Sequence, residues 1–302
     1  TTAHFLRQQL LILFLSLGIM IVVQRLNSSF YHLASRWVYY ASLLLTLAVY
    51  FLGHTTNGAA RWIPLGPFQF QPSEALKVAT VMFLAMQLAA RQTKIDKISI
   101  VPSWRFWTWR TDRIQRRIWR EGTYPILLPV VAACAVILPA HTSSAALLFL
   151  ATWVMMLVGR VRGSELMKLI GWALVGFCLL MVLNLGRGET AEGRLSTWVK
   201  LWVLPQDTKP IEDLTDTERS MIAIHEGGLL GRGAGQSAVR VEMTHPESDY
   251  AYAFFVEEYG FILSMILVAL YVWIFFRAIE IFDKCPKRFS ALLALGMALL
   301  IT

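Results

Sequence analysis

Long blocks of apolar residues leave this chain few ways to fold. Eight runs, at about 9–23, 35–52, 74–90, 124–140, 144–160, 166–185, 250–276 and 289–302, are rich in aliphatic and aromatic side chains and sparse in charge. A segment that crosses the hydrocarbon of a bilayer must satisfy its own backbone N–H and C=O groups, which admits only helices and closed barrels. These runs lack a period-two alternation and exceed the roughly 9–11 residues of a barrel strand, so they are predicted to be helices. Composition agrees. The 302 residues are 56% hydrophobic and 16% charged, against roughly 45–50% and about 25% in a soluble domain. A disordered chain needs the reverse balance. The expected class is an all-α polytopic membrane protein, with 1–302 forming a single transmembrane domain. The chain opens without Met and its last run has 14 residues, fewer than the about 20 of a full span. An interior piece of a longer protein is therefore expected.

Loop charge sets the expected orientation. The segments after the first, third, fifth and seventh runs carry Arg25 and Arg36, nine Lys/Arg between 91 and 120 in a basic loop reaching 123, then Arg160, Arg162 and Lys168, and finally Arg277, Lys284, Lys287 and Arg288. Of the short loops on the other side, 53–73 has only Arg61 and 141–143 has no cation. Cytoplasmic loops are the cation-rich ones, so the first set is expected inside and the long loop 186–249 outside. The stretch Trp104-Arg105-Phe106-Trp107-Thr108-Trp109-Arg110 uses the alphabet of a single-strand nucleic-acid platform. Beside a membrane span it reads instead as an interfacial segment on membrane lipids, and no nucleic-acid partner is expected.

The three cysteines, Cys134, Cys178 and Cys285, make no disulfide framework, and the first two lie in apolar runs as small hydrophobes. The six histidines show no metal-ligand spacing, and no HExxH, CxxC or Walker pattern occurs. No metal site and no cofactor are expected from these residues, with a divalent cation left open.

The polar signals gather on the expected outer face. Asn57-Gly58-Ala59-Ala60-Arg61-Trp62 leads to Gln71-Pro72-Ser73-Glu74 and Lys77. Pro72 suits the first turn of a helix, which puts Glu74 and Lys77 three apart on one face just inside the membrane. That pair reads either as a functional site or as an ion pair pinning the helix top. In the long loop, Gly227-Gly228-Leu229-Leu230-Gly231-Arg232-Gly233-Ala234-Gly235 reads as an anion-binding nest or as flexible turns. Pro246-Glu247-Ser248-Asp249-Tyr250 precedes a helix carrying Glu257-Glu258-Tyr259-Gly260, and Asp249 reads as an N-cap or as a general base.

Together these four motifs, in order and at compatible spacing, resemble the SEDS family (shape, elongation, division and sporulation). The resemblance covers nearly the whole chain. It implies a bundle of ten transmembrane helices, of which the eight runs here would be the second to ninth. It also implies peptidoglycan glycosyltransferase activity: polymerisation of lipid II into β-1,4 glycan strands at the outer face of the bacterial cytoplasmic membrane. The partner it implies is a class B penicillin-binding protein acting as transpeptidase. Asp249 would deprotonate the acceptor 4-hydroxyl, which attacks the anomeric carbon of the donor with inversion and expels undecaprenyl pyrophosphate. Arg61, Arg194 and Arg232, with Lys77 below them, are the cationic candidates for that leaving group. Trp62, Glu74 and Ser248 complete the expected substrate-binding set. The family often carries Gln-Pro-Asp where this chain reads Pro139-Ala140-His141, without a carboxylate. The Asn-Gly-Ala-x-Arg-Trp form leans towards the FtsW-like branch over the RodA-like one. Two rival readings stand beside the polymerase: a lipid II flippase, which needs polar groups through the membrane's depth, and a non-catalytic scaffold of the division complex.

Overall fold

The structure is a computed structural model that describes residues 2–52, 54–56, 59–65, 68–101, 113–182, 216–237 and 250–302. Each of the eight apolar runs is helical over most of its described length. The helices are α1 (Thr2–Arg25), α2 (Ser28–Leu52), α3 (Pro72–Arg91), α4 (Arg113–Ile118), α5 (Leu128–Ile137), α6 (Thr142–Val158), α7 (Gly163–Val182), α8 (Asp216–Gly227), α9 (Ala251–Lys284) and α10 (Arg288–Ile301). A nine-residue π-helical stretch, Trp119–Leu127 with Pro125 inside it, joins α4 to α5. By length and composition, Pro72–Arg91, Arg116–Ile137 and Ala251–Lys284 suffice to cross a membrane. A fourth crossing comes from the pair Gln9–Arg25 and Ser28–Tyr50, bent by 112°, if it counts as one span.

Two loop expectations are corrected. The segment 53–73 was expected as a plain loop and instead holds a three-stranded antiparallel sheet: β1 (His54–Thr56), β2 (Ala59–Leu65) and β3 (Phe68–Phe70), in the order β1-β2-β3. The pairing of Thr56 with Ala59 leaves Asn57-Gly58 between the strands, the dipeptide favoured in two-residue hairpin connections. The segment 186–249 was expected as one long loop and contains α8, with Asp216 and Glu218 in its first turn at the positive end of the helix dipole.

The chain divides into two compact units, Thr1–Gly186 with Ile281–Leu300 and Arg187–Glu280 with Ile301–Thr302. The core of the first is built around α3. Pro72 opens it, as predicted, after an extended Gln71. Its residues Leu76, Ala79, Val81, Phe83, Leu84, Ala85 and Leu88 are buried, and it packs on α2, α5 and α6. Buried threonine hydroxyls in this core are satisfied within their own helices. The hydroxyls of Thr46, Thr80 and Thr152 donate to the carbonyls of Ser42, Leu76 and Leu148 at 2.7–2.8 Å. Tyr39 of α2 donates to the Pro129 carbonyl of α5 at 2.8 Å. Cys178 lies on an exposed face of α7, where a buried thiol was expected.

A polar clasp closes the other end of α3. The turn after α3, with Ile95, Ile98, Ile100 and Val101 buried, is gripped by Glu165 from the first turn of α7. One carboxylate oxygen accepts from the Ile100 and Val101 amides at 3.0 and 2.9 Å and from the Ser99 hydroxyl at 2.7 Å. The other accepts from Lys168 at 2.6 Å. From the opposite side, Thr123 of the π stretch donates to the Ile100 carbonyl at 2.8 Å. A Cβ on Gly122 would overlap the Ser99 carbonyl oxygen.

Burial pushes the Glu165 pKa up, but the bonds from Lys168, Val101, Ser99 and Ile100 outweigh it and the net direction is down. A depressed carboxyl stabilises the fold above the unfolded value of about 4.3, and the contribution is lost as pH falls through the folded value. Glu165→Gln is expected to cost about 1–3 kcal/mol at neutral pH. In detergent-phase unfolding its deficit against the wild type should shrink below about pH 4. A deficit independent of pH would show that the charge of Glu165 does not matter to the clasp. Gly122→Ala is expected to lower stability by about 1–3 kcal/mol through overpacking against the Ser99 backbone, read as a lower unfolding midpoint.

Candidate active site

The candidate residues fall in both units. In the first, Arg61 and Trp62 sit in β2. His54 pairs with Trp62 and Thr55 with Ala60, so Arg61 is the extra residue at an irregularity of the ladder. Bulges of this kind bend a strand and re-aim its side chains, and they recur beside active sites. The sheet runs into α3, where Glu74 and Lys77 meet at 2.8 Å as the spacing predicts. Lys77 is largely covered, at 17% side-chain exposure, while Glu74 is half exposed at 54%. An ion pair this open contributes at most about 1 kcal/mol, so stability alone explains it weakly. A shallow crevice beside the start of α3 is lined by Thr46, Tyr50, Pro72, Ser73, Ile137 and Ala140.

In the second unit the long helix α9 is broken. Gly260 has φ 82° and ψ 170°, which divides the helix into a stub ending at Tyr259 and a long apolar part from Phe261. A break orphans carbonyls before it and amides after it. The glycine run supplies partners for two of each. The amides of Arg232 and Gly233 donate to the carbonyls of Glu257 and Glu258 at 2.9 and 3.0 Å, and the amides of Phe261 and Ile262 donate to Gly228 and Leu229 at 2.9 and 3.3 Å. Ser264 donates to the Gly260 carbonyl at 2.8 Å. The two backbones approach so closely that a Cβ at Gly227, Gly231 or Gly260 would overlap main-chain atoms of the facing strand of chain. The amides of Gly231, Arg232 and Gly233 already have carbonyl partners, so these three are not open to an anion.

Charged side chains lock this crossing. Glu257 is fully buried. Its carboxylate accepts from the Ser237 hydroxyl at 2.5 Å, and Arg232 lies 3.8 Å away. The Arg232 guanidinium also contacts Glu226 of α8 at 2.6 Å. Arg232, predicted as a leaving-group cation, is thus paired with two carboxylates inside its own unit. Thr217 of α8 and Tyr250 share a 3.4 Å hydroxyl contact at the foot of the stub. Sequence reasoning named Glu257 only as part of its motif and gave no role to Ser237 or Glu226. The one available signal was a buried-type acid three positions before a glycine inside an apolar run.

Asp249, Ser248 and Arg194 lie outside the described residues, as do Asn57 and Gly58. The stub begins at Ala251, two residues after Asp249 in sequence. Among the described residues no group of three or more His, Cys, Asp or Glu side chains is placed to hold a metal ion.

Comparison with known proteins is consistent across the chain. A probable peptidoglycan glycosyltransferase FtsW of Aliivibrio salmonicida (strain LFI1238) is 27% identical over 300 residues, covering 98% of this chain and 68% of that protein. The stage V sporulation protein E of Bacillus subtilis (strain 168) is 24% identical over 306 residues, covering 98% and 74%. Among solved structures, a chain of a peptidoglycan synthase complex that coordinates polymerization and crosslinking superposes with a TM-score of 0.63 at 21% identity, covering 97% of this chain and 74% of that one. Thermus thermophilus RodA, a rod shape determining protein, superposes with a TM-score of 0.54 at 20% identity, covering 93% and 67%. These structures share the helical membrane fold. The family model described as "Cell cycle protein", which spans FtsW, RodA and SpoVE, matches residues 1–302, and the chain belongs to that family.

Proposed function

We propose that this chain is the membrane-embedded polymerase of a peptidoglycan synthase: a glycosyltransferase that joins lipid II units into β-1,4 glycan strands, in division or elongation. The observation that carries this reading is the near-complete coverage of the chain by relatives named peptidoglycan glycosyltransferase FtsW. The charge distribution suits it. The acids and cations of the second unit described above cluster at the glycine crossing, while α9 beyond Gly260 is apolar down to Arg277. A flippase needs polar groups along that depth.

In this reading the eight apolar runs are eight spans of the cytoplasmic membrane, with the basic loops inside and the segment 186–249 outside. Asp249 takes the proton of the acceptor 4-hydroxyl. The oxygen forms its bond to the donor's anomeric carbon as the bond to the pyrophosphate breaks, and undecaprenyl pyrophosphate leaves with the electron pair. A cation at the pyrophosphate stabilises the developing charge. Lys77 and Arg232 already hold carboxylates, so either would have to exchange that partner for the leaving group. Arg61, at the ladder irregularity, and Arg194 are the other candidates by residue type. Trp62, Glu74 and Ser248 complete the substrate-binding set. A class B penicillin-binding protein is the proposed partner; the likeness to a chain of a peptidoglycan synthase complex that coordinates polymerization and crosslinking supports it.

The test is polymerisation of labelled lipid II by the full-length protein with its transpeptidase. Asp249→Asn keeps size and most capping capacity but cannot accept a proton. Turnover is expected to fall by about 10²–10⁴-fold while the protein stays folded, the usual contribution of a general base. Polymer equal to the wild type would reduce Asp249 to a helix cap and return the transporter and scaffold readings.

A further inference from the structure

The two turns at the clasped end of the first unit carry more positive charge than the clasp uses. Segments 91–101 and 159–168 hold six Lys/Arg and two carboxylates. Glu165 is buried, and its oxygens are taken by the Ser99 hydroxyl, the Ile100 and Val101 amides and Lys168. Asp96 is left as the one exposed carboxylate of these segments, among the exposed Lys94, Lys97, Arg160 and Arg162. No carboxylate pairs with any of these four cations among the described residues. The two turns are tied to each other. Arg162 Nε donates to the Asp96 carbonyl within the short 3-10 helix Ile95–Lys97, and Lys94 and Lys97 flank that contact in sequence. Ile95 and Val161 anchor both turns in the core, so the cations stand on fixed backbone.

Arg160 occupies a position that suits glycine. It follows Gly159 at the end of α6 with φ 66°, the one non-glycine residue at positive φ among the described residues. Its amide donates to the Leu157 carbonyl at 3.2 Å, and the Val161 amide donates to the Met156 carbonyl at 3.0 Å. These are the two bonds of a Schellman motif, whose left-handed position is usually glycine. A side chain there is strained. Strain of this kind gathers at functional positions. A cation at a helix C-terminus does oppose the helix dipole. Yet an arginine in the last turn of α6 would do the same without strain, and that turn has no basic residue. The left-handed seat instead places the charge in the turn, two residues from Arg162.

Next to the cations the surface becomes apolar. Leu157, three residues before Arg160, is 48% exposed, and Met167, five after Arg162, is 65% exposed. Tyr124 and Leu128 are exposed as well, close in sequence to Thr123, which is bonded to the clasped turn. An apolar band bordered by cations is the profile of the boundary between hydrocarbon and headgroups. An acidic protein docking here would engage only the cations. A phospholipid engages both parts, its phosphodiester at the cations and its acyl chains along the band.

We propose that Lys94, Lys97, Arg160 and Arg162 form a binding site for the headgroup of an anionic phospholipid, with the acyl chains along α6 and α7. The inference concerns how the chain sits in its membrane and holds whichever reaction it carries out.

The test titrates the full-length protein in neutral detergent with phosphatidylglycerol or phosphatidylcholine and counts bound lipid by native mass spectrometry. Wild type is compared with Lys94→Gln/Lys97→Gln, Arg160→Gly and Arg25→Gln/Arg36→Gln. The last pair removes the same charge from exposed positions elsewhere on the first unit. Wild type is expected to prefer phosphatidylglycerol. At about 5-fold per cation, the lysine pair should lower that affinity about 25-fold and Arg160→Gly about 5-fold, with phosphatidylcholine binding unchanged. Distant charges are screened, so the Arg25/Arg36 pair should cost less than about 2-fold. Arg160→Gly also separates binding from folding. Glycine relieves the strain, so the unfolding midpoint should hold or rise while affinity falls. Equal affinity of the wild type for the two lipids overturns the proposal. So does an equal loss in both charge pairs, which would make the preference one of net charge alone. Wild-type affinity in Arg160→Gly overturns the site and reduces Arg160 to a helix cap. Tighter binding of a polyglutamate peptide than of phosphatidylglycerol overturns it in favour of an acidic protein partner.

Discussion

Four main-chain hydrogen bonds across the break at Gly260 determine most of what is distinctive in the second unit. A helix that breaks next to an apolar span cannot leave its freed amides and carbonyls to water, so the surrounding chain must deliver partners at backbone distance. Only glycine lets two main chains come that close, which accounts for Gly227, Gly231 and Gly260 together. Once the run is committed to that crossing, the rest follows. Gly228, Gly231, Gly233 and Gly235 adopt positive φ, α8 ends where the run begins, and Arg232 is delivered between Glu226 and Glu257.

The first unit solves a related problem with side chains. Its core helices carry threonines that return their hydroxyl hydrogens to their own backbone, so these groups add no demand on neighbours. The turn after α3 has no such recourse, since its amides at 100 and 101 are buried outside any helix or strand. Glu165 supplies an acceptor for both, and Lys168 balances its charge. In both units, then, irregular backbone is held by groups brought from elsewhere in the sequence.

The apolar helices were legible because their hydropathy is strong and continuous. The start of α3 was legible because Pro72 has a definite place in a helix, and the Glu74–Lys77 pair followed from a spacing of three. The sheet at 54–70 was missed although Asn57-Gly58 signals a hairpin, because strands of three residues carry almost no periodic pattern. Helix α8 was missed because its mean hydropathy is low and its acidic first turn resembles the polar loop around it. The break at Gly260 was not legible at all. Gly171 and Gly176 sit in an equally apolar helix with open space where a Cβ would be, and nothing local distinguishes them from a glycine whose Cβ would strike another backbone. That difference depends on a segment some thirty residues away, as do the contacts of Glu257 with Ser237 and Arg232.

The π-helical stretch before α5 has a consequence for how this sequence tolerates change. A widened turn holds more residues than an α-helical one over the same rise. Removing a single residue between Trp119 and Leu127 would let the ordinary ladder re-form while Val130, Ala133 and Ile137 go on facing the core, because the wide turn already absorbs the extra residue. What would be lost are the seats of Gly122 and Thr123 on the clasped turn. The same deletion inside α5 would turn every later residue of that helix by about 100°, one residue's share of a 3.6-residue turn. Tolerance for a change of length is thus confined to the wide turn, and what that turn secures is the clasp.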